Sequence, residues 1–167
     1  LDASVDHLDP MPKEGVQMLV DYLTRLAGAS FIMPEPPAKW LISYKRRNMR
    51  PVEGSCLLRY VINYYDQIAA YRDDMYVATW QAHGVEGHTW ETLDQLVQGD
   101  VLTHADLYAK AKGRGVTEEI HVRDVKELIG RGWAEEGSGV VQITSAGKQA
   151  RAEVEAETER LFFAPWS

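Results

Sequence analysis

The stretch from Thr117 to Thr144, TEEIHVRDVKELIGRGWAEEGSGVVQIT, constrains the fold more than any other part of the chain, because it changes from helical to strand periodicity across a glycine stop. Val125, Leu128 and Ile129 recur at helical spacing on one face, with Val122 beside them. Thr117 is the expected N-cap, and Glu118 and Glu119 follow in the first turn, where negative charge suits the helix dipole. Gly130 and Gly132 end the helix, with Arg131 near its C-terminus. Trp133 then opens a short strand, Gly137-Ser138-Gly139 turns it, and Val140-Val141-Gln142-Ile143 brings it back.

Upstream, Thr103 is placed to cap a short helix over 104–113, with Asp106 in its first turn and Leu107 and Tyr108 pointing inward. Lys110, Lys112 and Arg114 gather at its end. Gly113-Arg114-Gly115-Val116 makes a short connection to the helix over 117–131, the spacing of a helix-turn-helix pair. Before it lies a helix over 85–99, with Trp90, Leu93, Leu96 and Val97 as its apolar stripe and Gly99-Asp100 as its stop. A long helix is expected over 52–83, closed by Gly84. Its two seams, Leu58-Val61-Tyr65-Ile68-Arg72-Met75-Thr79 and Leu57-Tyr60-Tyr64-Tyr71-Ala78, imply burial on two sides.

At the N-terminal end, residues 1–12 read as an arm and 13–29 as a helix whose apolar face is Val16, Leu19, Val20, Leu23 and Leu26. Phe31 to Pro37 reads as an extended connector, since prolines remove donors and restrict their neighbours. Lys39 to Arg50 carries five basic residues and no acidic one. It is either a patch for phosphate, a carboxylate ligand or an acidic partner, or a solvated helix end. The last helix is expected over 145–163, with Val154, Leu161 and Phe162 inside and a Glu153-Glu155-Glu157-Glu159 series elsewhere. The organisation is thus an N-terminal arm, helix and connector (1–54), a linking or dimerisation helix (55–86), and a terminal module (87–167).

Composition bounds the function. The 167 residues suffice for one compact domain or a small domain with a helical extension, and 45% are hydrophobic. No run approaches the ~18 apolar residues of a membrane span, and the acidic start, LDASVDHLDPMP, does not read as a signal peptide. A single cysteine, Cys56, excludes an internal disulfide, suits a reducing cytoplasm, and reads as a small core residue rather than a nucleophile. The net charge of −7 argues against a general nucleic-acid binder but leaves room for a local basic face. The C-terminal part is the more acidic: residues 87–167 carry 14 acidic and 9 basic side chains, residues 1–86 carry 11 and 9.

Few residues carry recognisable chemistry. Gly113-x-Gly115 follows no strand and is too short to cradle phosphate, and neither H-E-x-x-H nor paired C-x-x-C occurs, so no metal and no cofactor is expected. Tyr60, Tyr64, Tyr65, Tyr71, Tyr76 and Trp80 concentrate on the long helix, either as packing or as the lining of a cavity for an aromatic ligand. Arg72 within an apolar seam either pairs with a carboxylate of the fold or binds a ligand's anionic group. His83 and His88 flank a glycine turn. They are either turn histidines or, with Asp73, Asp74 or Glu86, an acid–base site.

VRDVKELIGRGWAEE followed by VQITSAGKQA resembles the MarR-type winged-helix regulators over about 87–163: a recognition helix, a glycine-aromatic exit into the wing, and a Thr-x-x-Gly entry to the last helix. A narrower resemblance, over about 55–167, is to an actinobacterial family of helix-turn-helix proteins. It rests on Tyr71-Arg72-Asp73-Asp74, on Trp80-Gln81-Ala82-His83-Gly84-Val85-Glu86-Gly87, and on the terminal ETERLFFAPW from Glu157 to Trp166 with Glu155 before it. Residues 1–54 depart from that family, whose members have a longer N-terminal part.

The resemblance implies a mainly α fold: a winged helix-turn-helix with a small β-hairpin wing plus N-terminal and C-terminal helices. It implies a cytoplasmic, homodimeric, ligand-responsive DNA-binding regulator, with no membrane partner. Thr117, His121, Arg123 and Lys126 would form the exposed recognition face, and Lys110, Lys112 and Arg114 would approach phosphate. A ligand would meet Tyr60, Tyr64, Tyr71, Arg72, Tyr76, Trp80 and His83. Two departures count against DNA, since phosphate contacts dominate affinity. The wing tip has no arginine and carries Glu135 and Glu136 beside it, and the recognition helix opens on two glutamates. The alternative is a winged-helix scaffold repurposed to bind or transform a small aromatic metabolite. A third reading is a protein-interaction module using the basic run or the helix seams. Whether the chain is an enzyme stays open.

Overall fold

The computed structural model describes residues 13–33, 39–49 and 57–167. The N-terminal arm, the prolines of the connector, Arg50, the expected start of the long helix and Cys56 lie outside the described residues. In chain order the elements are α1 (Lys13–Ile32), α2 (Trp40–Arg47), α3 (Leu57–Gln81), α4 (Gly87–Gly99), β1 (Val101–Thr103), α5 (His104–Lys112), α6 (Glu118–Gly130), β2 (Ala134–Gly137), β3 (Val140–Ile143), α7 (Ser145–Phe163) and a closing 3-10 turn (Ala164–Trp166). The architecture is mainly helical with one small antiparallel sheet, as a winged helix-turn-helix requires. The chain divides into two compact units, 1–78 with 158–167 and 79–157.

In the first unit the core is Ile42, Ala70, Tyr71 and Met75, with Leu161, Phe162 and Trp166 packed against it. Tyr71 is fully buried. Its ring lies 6.0 Å from Phe162 and 6.2 Å from Trp166, and its hydroxyl donates to the Leu161 carbonyl. Trp166 in turn donates its indole N–H to the Leu26 carbonyl on α1. Arg72 pairs with Glu159 at 2.9 Å. The Tyr-Arg pair and the terminal Glu-Arg-Leu-Phe-Phe-Ala-Pro-Trp run, far apart in sequence, are therefore two halves of one contact.

Two expectations for this unit need correction. α1 continues through Phe31 and Ile32, because the first proline is Pro34 and restricts only the residue just before it. Leu19 is 43% exposed, so the buried face of α1 is Val16, Val20, Ala27 and Ser30. α2 has no side-chain cap of its own. Asp74 on α3 supplies one across 33 residues, its two oxygens accepting from the Leu41 and Ile42 amides at 2.9 Å.

The second unit builds its core on Trp90, Leu93, Leu96, Leu107, Val125, Leu128, Val141 and Val154. α6 ends in a Schellman motif: Gly132, at φ +73, donates its amide to the Ile129 carbonyl, and Trp133 donates to Leu128. Trp133 is thereby part of the helix stop, and β2 begins at Ala134 rather than at Trp133 as its sequence position suggests. The hairpin turn is Ser138-Gly139, both at positive φ (54 and 77), the primed geometry that matches strand twist. The sheet order is β1-β3-β2, with Leu102 opposite Val141 and Glu136 opposite Val141 on the other edge. β1 has no counterpart in the sequence reading. It is only three residues long, and its ladder comes from β3, some forty residues later.

α7 starts from Thr144, whose hydroxyl accepts from the Gly147 amide and donates to the Gly132 carbonyl at 2.6 Å. Thr-x-x-Gly thus ties the last helix to the Schellman stop.

Candidate nucleic-acid interface

α5 and α6 form the helix-turn-helix. Each opens on a threonine cap read correctly from the sequence: the Thr103 hydroxyl accepts from the Asp106 amide, and the Thr117 hydroxyl from the Ile120 amide. α6 docks on α4 through Val125 and Leu128 and presents Glu118, Glu119, Val122, Arg123 and Lys126 outward. Lys110 and Lys112 are exposed on the last turn of α5.

The expected recognition residues divide into three groups. Thr117 and Lys126 are exposed, the first engaged as the cap of α6. Arg114 is exposed but ion-paired with Glu91 on α4. His121 requires a correction: it is 2% exposed and faces inward. The inward stripe of α6 runs 121, 124, 125, 128, spacings of three and four, so His121 takes the place that Val122 was expected to hold. Val122 is 40% exposed instead. The His121 ring lies 5.7 Å from that of His104 and 5.8 Å from that of Tyr108, both on α5.

Arg123 is exposed but not unattached. One of its N–H groups donates to His88 Nε2 at 3.2 Å, and His88 Nδ1 in turn meets Asp124 Oδ1 at 2.8 Å. Asp124 is fully buried and also accepts from the Thr89 hydroxyl at 2.9 Å. Arg123 can donate to Nε2 only in the tautomer that carries the ring proton on Nδ1, toward Asp124. A carboxylate inside the domain thereby fixes the ring that positions an arginine on its surface. Neither His88 nor Asp124 carried a sequence signal for this, since 36 residues separate them.

Arg131 is held as well. It pairs with Glu127 and donates to the carbonyls of His83 and Gly84 at 2.9 Å. Exposed carboxylates from Glu118, Glu119, Glu135 and Glu136 share the same module, and Glu136 accepts from His104 Nε2 at 3.1 Å.

The expected ligand residues do not share one unit. Tyr60, Tyr64, Tyr71, Arg72 and Tyr76 belong to the first, Trp80 and His83 to the second. Tyr71 is a core residue and Arg72 an ion-pair partner. His83 stacks on Trp90 at 5.9 Å and meets Trp133 edge-on at 5.8 Å. Of the residues offered for an acid–base grouping, His83 and His88 with Asp73, Asp74 or Glu86, two have structural partners. Asp74 is committed to capping α2, and His88 to Asp124. No cluster of three or more His, Cys, Asp or Glu suited to a metal occurs among the described residues, and no helix among them is long and apolar enough to cross a membrane.

No curated protein and no solved structure matches the chain. A family model does, over residues 70–167, from the Ala70-Tyr71-Arg72 segment of α3 through the wing to the terminal Pro-Trp. With its two capped helices, three-stranded wing and tied terminal helix all inside that span, the chain belongs to a helix-turn-helix family.

Proposed function

We propose that this protein is a MarR-like transcriptional regulator that binds DNA as a homodimer and responds to a small ligand. The observation that carries the reading is the outward face of α6. Val122, Arg123 and Lys126 lie there together on a helix whose opposite face, His121, Asp124, Val125 and Leu128, is buried, with Lys110 and Lys112 at the end of the preceding helix. Such a helix enters a major groove, while flanking cations meet phosphate. Family membership points the same way.

The acidic surroundings set the expected character of binding. With Arg114 and Arg131 already paired, few cations remain to neutralise phosphate, so affinity should depend on base contacts and fall less steeply with salt than for a basic regulator. Dimerisation is supported by where apolar surface is exposed. Among the described residues, Val97, Val101 and Val122 are the exposed large apolar side chains of the second unit, whereas the first exposes eleven, among them Met18, Tyr22, Ile32, Trp40, Ile62 and Tyr65. A two-fold dimer through such a surface matches a palindromic site.

The test is selection of duplexes from a random library at ~50 mM salt, where charge is least screened, with light scattering for the oligomeric state. A palindromic consensus, lost in Arg123→Ala and weakened about tenfold in Lys110→Ala/Lys112→Ala, is the expected result. A monomer that enriches no sequence defeats the proposal.

A further inference from the structure

Arg123 and Asp124 are consecutive on α6, one outside and one inside: the Arg123 side chain is 60% exposed and that of Asp124 is 0% exposed. His88, in the first turn of α4, joins them. Its Nδ1 meets Asp124 Oδ1 at 2.8 Å, and its Nε2 accepts from Arg123 Nη2 at 3.2 Å. The direct separation of Nη2 from Oδ1 is 4.0 Å. A buried carboxylate is costly unless hydrogen bonds and an opposite charge compensate it. Asp124 takes its hydrogen bonds from His88 and Thr89 on α4, and its nearest opposite charge is a guanidinium on the domain surface.

The arrangement matters for what the arginine can do. An exposed arginine samples many rotamers, and ordering it on binding opposes association. Here an acceptor and a buried carboxylate restrain the guanidinium before any partner arrives. The other arginines nearby are engaged differently. Arg131 has Nε and both Nη groups occupied by Glu127 and the His83 and Gly84 carbonyls, and Arg114 is paired with Glu91. Arg123 gives only an Nη2 N–H to His88 and keeps other donors for a second partner. A restrained fork on the outward face of a helix matches the two acceptors, O6 and N7, that guanine presents in the major groove.

We propose that Arg123 reads guanine and that His88, bridging it to Asp124, is a positioning residue that sets this preference. The inference rests on the DNA-binding reading above. It also makes a demand on the free protein, because the bridge exists only in the tautomer with the proton on Nδ1.

Two measurements on the full chain test it. In the first, the chain is ¹⁵N-labelled at histidine and the His88 ring is read by long-range ¹H–¹⁵N NMR without DNA. The proton is expected on Nδ1, and the Nε2 resonance should move in Arg123→Ala. A proton on Nε2 overturns the inference whatever DNA does, since that nitrogen could then accept nothing.

In the second, duplexes are selected with the parent, and each base pair of the selected site is then replaced in turn. A guanine is expected in each half-site whose replacement weakens binding about tenfold or more. Arg123→Lys keeps the charge but not the fork, and His88→Asn keeps an N–H for Asp124 but places no acceptor where Nε2 stood. Each should lower that discrimination to about threefold or less, with binding to unrelated duplex changed by less than about twofold. His88→Gln can offer its carbonyl to Arg123 and should restore part of the preference. A parent that selects no sequence overturns both this inference and the DNA-binding reading. A parent that selects a site whose guanine preference survives His88→Asn, or is lost alike in His88→Asn and His88→Gln, overturns this inference alone.

Discussion

The carbonyl oxygen of Trp133 lies so close over the α-carbon of Gly147 that a β-carbon at position 147 would overlap it, with Ile143 Cγ1 at 3.0 Å closing the other side. The obstacle is backbone, held in place because the same oxygen accepts from the Thr144 amide at 3.0 Å. Gly147→Ala should therefore cost about 3 kcal/mol, the upper part of the range for overpacking, despite the small gain from a stiffer unfolded chain. Urea denaturation followed by circular dichroism measures it. A loss under about 0.5 kcal/mol would mean that the start of α7 is free to shift.

The hairpin offers the opposite sign. Ser138 occupies the left-handed region at φ 54 next to Gly139 at φ 77. A residue with a β-carbon is disfavoured there by about 1 kcal/mol, whereas glycine and asparagine are tolerated. Ser138→Gly or Ser138→Asn should raise stability by about 0.5 kcal/mol, and Ser138→Val should lower it by more than that. The thermal midpoints of the three variants, ranked against the parent, check the order.

Asp74 holds α2 at a distance. Its carboxylate accepts from the two amides that a local N-cap would serve, and it is 4% exposed. Asp74→Ala should cost about 2 kcal/mol. It should also release the 39–49 segment to proteolysis before the rest of the chain opens. Asp74→Asn keeps an acceptor and should retain part of the protection. Limited proteolysis with mass mapping distinguishes local release from global unfolding.

His121 gives a pH dependence of definite sign. Facing it are His104 and Tyr108 from α5 and Glu118 and Asp124 from α6, with Glu136 and Lys126 in the wall of the groove beside it. Burial, and then the neighbouring His104, depress its folded pKa. Below pH ~6.5 the unfolded chain takes a proton that the folded chain refuses. Its contribution to stability is therefore complete above that pH and declines as the pH falls through the folded value. His121→Phe should flatten this part of the acid limb and gain more on the parent at pH 5 than at pH 8. Urea midpoints at the two pH values provide the comparison; a parallel pair of curves would remove His121 from the acid response.

What was legible in the sequence is local. The caps Thr103 and Thr117, the glycine stop, the hairpin and the α5–α6 spacing all rest on chemistry within four or five residues, and each appears in the structure. Arg72's need for a carboxylate was legible too, because an apolar seam cannot hold an unpaired charge, but not that the carboxylate would be Glu159, 87 residues on. For α6, periodicity allowed either 121 or 122 to turn inward, and the packing of His104 and Tyr108 decided for 121.

The sequence by itself determined which segments are helix, turn and wing, since capping, periodicity and glycine placement act through neighbouring residues. Only the tertiary structure decided the pairings: Asp74 with α2, Asp124 with His88 and so with Arg123, Trp133 with Gly147, and His121 with His104 and Tyr108. The physical reason is that a hydrogen bond, an ion pair or a steric overlap depends on separation in space, and residues thirty or more positions apart acquire a separation only when the chain has closed on itself.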